Sequence, residues 1–314
     1  MSTPTQSYLK VSYDLRPAKQ VERRMLIDAF HRLSSAGFPI TDYQYTGMGS
    51  IYFVDFILFH KLLGLQKLLS VEWDETIEKR VNFNKPFKEI RLEVGRPIGD
   101  VIPSLSPDEK HILWLDYDDL VKREHLADVV LAASSLSAGS ILLITVDSEP
   151  PTGRRPAQWQ RYFEKEAEEY LGKKRKTSDF SLSKLPELNA HILEQAINHG
   201  IIARPGVGFM PMFNFVYKDG HRMVTVGGMI VTPSEKRKAR ASSLIETSYY
   251  RANFSSPTFE IKVPRLTRKE RLYLDMAMPC EEGYQPDEFE IPIEDIIAYR
   301  EVYRFFPAYA ELLL

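Results

Sequence analysis

The chain has 314 residues, of which 44% are hydrophobic, and a formal net charge of −2. This length is enough to bury a substantial core, as one large domain with insertions or as about two ordinary domains. The near-neutral charge excludes a protein whose whole surface attracts polyanions, and the single cysteine, Cys280, excludes an intrachain disulfide and a cysteine-based zinc cluster.

The first predicted element is an amphipathic helix. Asp14 and Pro17 are typical of a helix start, and apolar residues recur at helical spacing until Gly37. The apolar positions are Val21, Met25, Leu26, Ala29, Phe30 and Leu33. The other face carries Arg16, Lys19, Arg23 and Arg24. We interpret these basic residues as a solvated face, with contact to an anionic ligand as the alternative.

Apolar runs of strand length then alternate with segments of helix length. The predicted strands are residues 43–45, 67–72, 90–94, 111–116 and 140–146. The predicted helices between them are residues 51–63, 75–83, 99–105 and 120–136. Continuous apolar strands such as ILLITV predict burial on both faces. The fold class is therefore α/β, with a mostly parallel, Rossmann-like sheet that helices cover.

The second half of the chain has a different character. Residues 148–200 predict a helical insertion, in which five residues share one helix face. They are Trp159, Phe163, Ala167, Tyr170 and Leu171. Residues 209–231 predict an antiparallel hairpin that turns at Gly220. Residues 234–314 predict a helical C-terminal annex, with Thr267 and Glu270 forming a capping box. We predict one domain over residues 1–233, insertion included, and a second unit over residues 234–314.

A glycine-containing turn marks the strongest candidate site. Gly47 and Gly49 follow the first predicted strand, and Glu72 ends the second strand about 20 residues later. Gly-x-Gly alone is a weak signal, because glycine is common in tight turns. A carboxylate at that distance can accept hydrogen bonds from two ribose hydroxyls. The combination predicts a site for a nucleoside cofactor.

Five segments in order resemble the motifs of class I S-adenosylmethionine-dependent methyltransferases. They are YQYTGMGS, LLSVEWDETIEKR, IRLEVGRPIGDVIPSL, HILWLDYDDL and GSILLITVDS. The third and fourth are similar to those of catechol-type small-molecule O-methyltransferases. The likeness covers residues 40–147, and residues 205–231 by topology. A more remote resemblance is to O-methyltransferase-like proteins found beside bacterial antiviral defence genes. The resemblance implies a class I methyltransferase sheet with an antiparallel terminal hairpin, and S-adenosylmethionine as the cofactor.

The resemblance assigns roles to individual residues of this chain. The methionyl part of the cofactor would lie on the turn Thr46, Gly47, Met48, Gly49 and Ser50. Glu72 would hold the ribose, Trp73 would lie beside the adenine, and the loop from Gly95 to Ile98 would meet the adenine edge. Asp116 would face the methyl group or the acceptor, and Asp119 is the second candidate catalytic carboxylate. Arg154 and Arg155 would lie above the acceptor pocket, where they could bind an anionic group.

The chain also departs from these families. Tyr43 and Tyr45 stand where the general motif has an acidic residue and a first glycine, and Asp42 or Asp55 could replace the acid. Asp119 stands where catechol-type enzymes have a lysine base, and their Asp-Asn metal pair is missing after the fifth strand. We therefore predict no metal site.

The leading hypothesis is an O-methyltransferase that acts by in-line methyl transfer. A catalytically degenerate methyltransferase-like binding module is the first alternative. A nucleic-acid or nucleotide methyltransferase is the second, because basic runs occur at residues 173–176 and 236–240. An NAD-dependent dehydrogenase is disfavoured, since Tyr52 occupies the place of the third glycine of the dinucleotide motif.

The expected partners follow from the same observations. The acceptor is an unidentified molecule, anionic or nucleotide-like, and nucleic acid or a second copy of the chain are further candidates. No run of about 18 apolar residues is available to cross a membrane, and residues 1–20 lack the features of a signal peptide. We therefore expect no membrane partner and a cytoplasmic location.

Overall fold

The computed structural model describes residues 16–149, 155–173 and 175–307. The strands are β1 (Gln44–Gly47), β2 (Lys67–Glu72), β3 (Ile90–Val94), β4 (His111–Leu120), β5 (Ile141–Asp147), β6 (Gly208–Asp219), β7 (His221–Val231) and β8 (Phe259–Ile261). The helices are α1 (Pro17–Ser35), α2 (Val54–Leu63), α3 (Glu78–Asn84), α4 (Ile98–Val101), α5 (Arg123–Ser135), α6 (Pro156–Glu166), α7 (Leu185–Ile201), α8 (Pro233–Arg240), α9 (Arg268–Ala277) and α10 (Ile293–Val302).

The strands form one sheet in the order β3-β2-β1-β4-β5-β7-β6-β8. β7 pairs antiparallel with both β5 and β6, whereas the other strand pairs are parallel. The mostly parallel sheet and the antiparallel hairpin are confirmed. Because the parallel strands share one direction, the carboxyl ends of β1, β2 and β4 meet at a single edge, which we call the carboxyl edge.

Most predicted strands agree with the structure, but β4 is longer than its apolar run. It was expected to end at Asp116 and continues to Leu120. Its pairing with β5 shifts between Asp116 and Leu120, and Leu120 aligns with Asp147. Such an irregularity bends a strand and redirects its side chains. Apolar periodicity could not reveal this extension, since Asp118 and Asp119 are exposed.

Helices cover both faces of the sheet, as continuous apolar strands predict. One core cluster lies on the side of α1 and α2 and includes Phe30, Phe59 and Trp114. The other lies on the side of α5 and α7 and includes Val129 and Ile197. No described helix has the length and apolarity needed to cross a bilayer.

The predicted helical insertion is present as α6 and α7. The five residues expected on one helix face are all buried in the second core cluster. The single helix was wrong, because α6 ends at Glu166 and only Trp159 and Phe163 belong to it. α7 packs along α5 and also contacts β6 and β7. The insertion is thus an integral part of one face of the sheet rather than a peripheral addition.

The C-terminal part contains a strand that apolar patterning did not predict. β8 pairs in parallel with β6 at Phe215, Val216 and Tyr217, and so extends the sheet beyond the hairpin. It is only three residues long, too short for a recognisable period. Tyr249 and Val302 share the core cluster of α1. The division of the chain at residue 233 stays a prediction. Asp14 and the predicted helical end at 308–314 lie outside the described residues.

The capping box predicted at Thr267 is confirmed. The Glu270 amide donates to Thr267 Oγ1 at 3.2 Å, and the Thr267 amide donates to Glu270 Oε2 at 2.7 Å.

We expect Thr267→Ala to destabilise α9 locally by about 1 kcal/mol, because the Glu270 amide loses its acceptor. Hydrogen exchange of residues 268–277 should then accelerate, whereas exposed Thr41→Ala should leave it unchanged. Unchanged exchange in the Thr267 variant would contradict a capping role.

Candidate active site

The glycine turn at the end of β1 leaves no room for side chains. A Cβ atom on Gly47 would lie 2.4 Å from Tyr45 Oη, and one on Gly49 would lie 2.7 Å from Ser70 Oγ. The Gly49 amide also donates a hydrogen bond to Ser70 Oγ at 3.1 Å. Gly47 is therefore required by close packing against the Tyr45 ring, and Gly49 by close packing against β2.

Ser50 connects this turn to Glu72 at the end of β2. Its φ is +51°, a left-handed conformation that is uncommon for a residue with a side chain. The Ser50 amide donates to Glu72 Oε1 at 2.5 Å. The Ser50 hydroxyl is buried and has no hydrogen-bond partner within the described ranges. The structure thus brings together a carboxylate and an unsatisfied hydroxyl that a polar ligand could bind.

Glu72 has an altered acidity. Burial raises the pKa of its carboxyl to about 7, although the hydrogen bond from Ser50 works in the opposite direction. A carboxylate with a raised pKa in a partly enclosed position is typical of functional sites. Near neutral pH, Glu72 therefore changes between its protonated and ionised forms.

The predicted adenine region adjoins Glu72. Trp73 follows Glu72 directly, and its side chain is 66% exposed. The Gly95 amide donates to the Glu72 carbonyl at 2.8 Å, and Gly95 has a φ of +77°. Ile98, the first residue of α4, is buried, and Met48 packs partly buried against the same core cluster. The turn, the carboxylate and the exposed ring thus lie around the adjoining ends of β1, β2 and β3.

Tyr43, just before β1, and Tyr45, within it, depart from the family pattern and are core residues. Tyr43 Oη donates to the Gly139 carbonyl at 3.0 Å. The Tyr45 ring packs between Phe56 and Phe59, each with a centroid distance of 4.8 Å. Thr46 is also buried, and its hydroxyl accepts a hydrogen bond from Gln44 at 3.1 Å.

Neither acid considered as a replacement lies free at the turn. Asp55 is buried in an ion pair with Arg23, and Asp42 is exposed before β1 begins. Contact of the turn with a ligand would therefore rely on its backbone and on Ser50.

The start of α1 lies over the carboxyl edge because a distant residue caps it. The amides of Ala18 and Lys19 donate to the two carboxylate oxygens of Asp219, at 3.0 and 2.8 Å. First-turn amides of a helix lack partners within the helix, and a carboxylate there is stabilising. Asp219 ends β6, so the helix start is fixed to the sheet.

This placement buries an ion-pair cluster around Asp116. Lys19 Nζ lies 2.9 Å from Asp116 Oδ1 and 3.0 Å from Glu22 Oε2. It also lies 4.2 Å from the centroid of the Trp114 ring and 5.4 Å from that of Tyr217. The Lys19 side chain is 1% exposed. Lys19 is therefore held by two carboxylates and two aromatic rings.

The expectation that the basic face of α1 is solvated was wrong for Lys19 and Arg23. Both side chains are buried, and they pair with Asp116 and Asp55 of the same chain. A signal for this burial was present in the sequence. Lys19, Glu22 and Arg23 extend the helical stripe of Leu26 and Phe30 toward the helix start.

The cluster controls the acidity of its carboxylates. Burial favours the neutral form of Asp116, but the charge and hydrogen bond of Lys19, with Arg16 and Arg23, outweigh it and lower the pKa of Asp116. For Glu22, burial prevails over the attraction of Lys19, and its pKa is raised. Asp116 therefore stays ionised at neutral pH, as a fixed negative charge and a weak proton acceptor.

The structure does not bring Asp119 to this cluster. Its side chain is 56% exposed and pairs with Lys122 on the surface. The irregular pairing of β4 after Asp116 separates the environments of the two acids. A catalytic role for Asp119 thus has no support from its surroundings.

A histidine and an aspartate that sequence reasoning did not combine lie at the end of β5. Asp147 is buried, and its Oδ2 lies 2.9 Å from Nδ1 of His221, the first residue of β7. The Glu149 amide donates to Asp147 Oδ1 at 2.6 Å. Burial raises the pKa of Asp147, against the effect of these hydrogen bonds. No short motif reveals the pair, because its members are far apart in sequence.

Of the two arginines predicted to bind the acceptor, the structure describes only one. Arg154 lies outside the described residues. Arg155 is exposed at the N-cap of α6, where its amide donates to Gln158 Oε1 at 2.8 Å. In the described part of the chain, no three His, Cys, Asp or Glu side chains are arranged to hold a metal ion.

Several solved structures are similar to this chain. Trm1 of Pyrococcus horikoshii, solved with S-adenosylmethionine, is 12% identical over 74% of this chain and 60% of its own, with a TM-score of 0.46. This chain therefore spans less than two thirds of Trm1. The O-methyltransferase TomG of Streptomyces achromogenes, also solved with S-adenosylmethionine, is 12% identical over 72% of this chain and 93% of its own, with a TM-score of 0.36.

A comparison with curated proteins found no match. A family model described as "Putative O-methyltransferase" matches residues 11–314, which is nearly the whole chain. The chain therefore belongs to this family of O-methyltransferases.

Proposed function

We propose that the protein transfers a methyl group from S-adenosylmethionine to an oxygen atom of its acceptor. The observation that carries the proposal is the pairing of the glycine turn with Glu72, joined by the Ser50 amide at 2.5 Å. The family whose model matches the chain is described by O-methyltransferase activity. The order and directions of the first seven strands agree with the class I methyltransferase fold.

The residues at the carboxyl edge fit the cofactor. When bound, S-adenosylmethionine supplies a methyl group activated by its sulfonium charge. Glu72 would accept hydrogen bonds from the ribose, the turn from Thr46 to Ser50 would hold the methionyl part, and Trp73 would cover the adenine. The buried Ser50 hydroxyl, which lacks a partner among the described residues, would gain one.

Asp116 and His221 suit different roles in this reaction. Asp116 stays ionised beside Lys19 and would contribute negative charge, which favours a cationic group nearby. His221 is 68% exposed, and Asp147 holds its Nδ1. An imidazole oriented by a carboxylate is suited to accept a proton from an acceptor hydroxyl. We therefore assign proton acceptance to His221, and orientation and charge to Asp116.

Calorimetric titration with S-adenosylhomocysteine tests the proposal. We expect micromolar binding by the wild-type protein, and loss of binding in Gly47→Val, because the added side chain cannot fit beside Tyr45. Gly208→Val is the control, since no atom lies within 4 Å of a Cβ built there and Gly208 has no positive φ. Failure of the wild type to bind millimolar S-adenosylhomocysteine would refute the enzyme hypothesis.

The binding-module alternative predicts a different pattern. A degenerate protein would bind S-adenosylhomocysteine and yet transfer no methyl group from labelled S-adenosylmethionine to any acceptor. The departures at Tyr43 and Tyr45 are explained by packing, since both side chains are core residues. A cytoplasmic location, homo-oligomer formation and a role in antiviral defence stay hypotheses. Counting phage plaques on bacteria that express the wild type or Gly47→Val would test the last of these.

A further inference from the structure

A cavity of about 430 Å³ lies between the start of β6, α8 and the segment that follows α8. Its lining residues are Phe209, Met210, Pro211, Lys236, Arg240, Ile245, Tyr250 and Ala252. Its volume falls within the range of about 300–1,000 Å³ that is typical of small-ligand sites. The cavity thus has room for a ligand of the size of one nucleotide.

The cavity is cationic. Lys236 and Arg240 are exposed and stand four residues apart on α8, so they lie on the same helix face. In the part of the chain that the structure describes, neither forms an ion pair, and no carboxylate lines the cavity. The nearby Glu235 is engaged in capping α8, where it accepts from the Thr232 amide at 2.9 Å. Both positive charges are therefore available to an anion.

The walls of the cavity are apolar and aromatic. Phe209 and Tyr250 are half-buried, and Ile245 is 42% exposed beside them. Burial raises the pKa of Tyr250, and the charge of Arg240 partly offsets this effect, which places the guanidinium near the phenol. Flat aromatic surfaces beside an arginine suit a planar aromatic ligand that carries negative charge.

This cavity is remote from the candidate active site. β6 runs parallel to β1 and β4, so Phe209 at its start lies near the edge opposite the carboxyl edge. From Phe209 to Tyr217 the strand rises by roughly 25 Å, at about 3.3 Å per residue. A ligand in the cavity would therefore be neither the cofactor nor the group that receives the methyl.

We propose that the cavity is a second ligand site, which binds a nucleotide unit. Lys236 and Arg240 contact its phosphate, and its base lies against Tyr250 and Phe209. The phosphate is favoured because two unpaired cations meet where no acid lines the cavity, and the base because two of the walls are aromatic. The unit is either a free nucleotide or one residue of a single strand. The site does not depend on the proposed methyl transfer.

Binding of AMP and of a fluorescent ten-nucleotide single-stranded oligoadenylate tests this site. Both are titrated into the wild-type protein with saturating S-adenosylhomocysteine, so that AMP does not occupy the predicted cofactor site. We expect the double change Lys236→Ala and Arg240→Ala to weaken binding of both probes by about tenfold or more. Tyr250→Leu should weaken binding by about fivefold through lost stacking.

Arg237→Ala is the matched control, because Arg237 is on the same helix, carries the same charge and does not line the cavity. It should change affinity less than twofold at 0.15 M salt.

Much tighter binding of the oligomer than of AMP, with a steeper salt dependence, identifies a strand as the ligand. Similar affinities identify a free nucleotide. Absence of binding at 1 mM AMP and 0.1 mM oligomer, or equal losses in the double variant and the control, overturns the proposal.

Discussion

Replacing Glu72 by glutamine is expected to weaken S-adenosylhomocysteine binding by about 10- to 100-fold. The glutamine keeps one acceptor oxygen but loses the negative charge, and hydrogen bonds to charged groups are worth more than those between neutral groups, by about 1 kcal/mol each. Two ribose hydroxyls would lose this contribution. Titration calorimetry at pH 8 measures the loss directly.

The same residue makes wild-type binding depend on pH. Burial raises the pKa of Glu72 to about 7. The ionised form is the stronger acceptor for the two hydroxyls. Affinity should therefore rise as the pH increases from 6 to 8, by up to about tenfold per pH unit below the pKa. In Glu72→Gln this dependence should disappear. A flat wild-type profile would show that Glu72 does not bind the cofactor through its charge.

A folding control separates binding from stability. The folded pKa of Glu72 lies above its ordinary value of 4.5, so the stability present below pH 4.5 is partly lost as the pH rises through 7. Glu72→Gln removes this loss, and the unliganded variant should be at least as stable as the wild type at pH 8. Glu109→Gln, which alters a surface pair with Lys67, should leave binding unchanged.

Replacing Lys19 by methionine is expected to destabilise the protein by about 3–5 kcal/mol. The lysine is 1% exposed, and its loss leaves the buried Glu22 and the largely buried Asp116 without their cation. Urea denaturation at pH 7 measures the change. Lys122→Met, which breaks the exposed pair with Asp119, should cost less than about 1 kcal/mol. Equal losses in the two variants would show that the buried pair contributes no more than a surface pair.

The pH dependence of Lys19→Met has a defined sign. In the wild type the pKa of Asp116 is lowered, so its stabilising contribution is present above its ordinary pKa and is lost as the pH falls through the lowered value. Without Lys19, burial dominates and the pKa of Asp116 should rise instead. The variant should then be more stable at pH 5 than at pH 8. Adding Asp116→Asn should recover part of the stability, since the unpaired charge is removed.

Local sequence patterns were sufficient for most of the sheet and for the cofactor end of the site. Strands β2 and β3 were predicted to the residue, because apolar runs bounded by turns report burial on both faces. The glycines of the turn and the spacing to Glu72 were also visible, since both follow from adjacent strands that end at the same edge. The short strand β8 was missed, because its pairing with β6 depends on a distant partner.

The surroundings of each catalytic candidate depended on contacts between distant parts of the chain. Asp116 and Asp119 look alike in the sequence, but Asp116 is only 19% exposed beside Lys19 and Asp119 is 56% exposed beside Lys122. His221 meets Asp147 only because β7 lies next to β5. Sequence periodicity therefore determined the type and order of the elements, since these depend on local spacing. The charge state and partners of the acids were decided by tertiary packing, because burial and ion pairing join residues from separate elements.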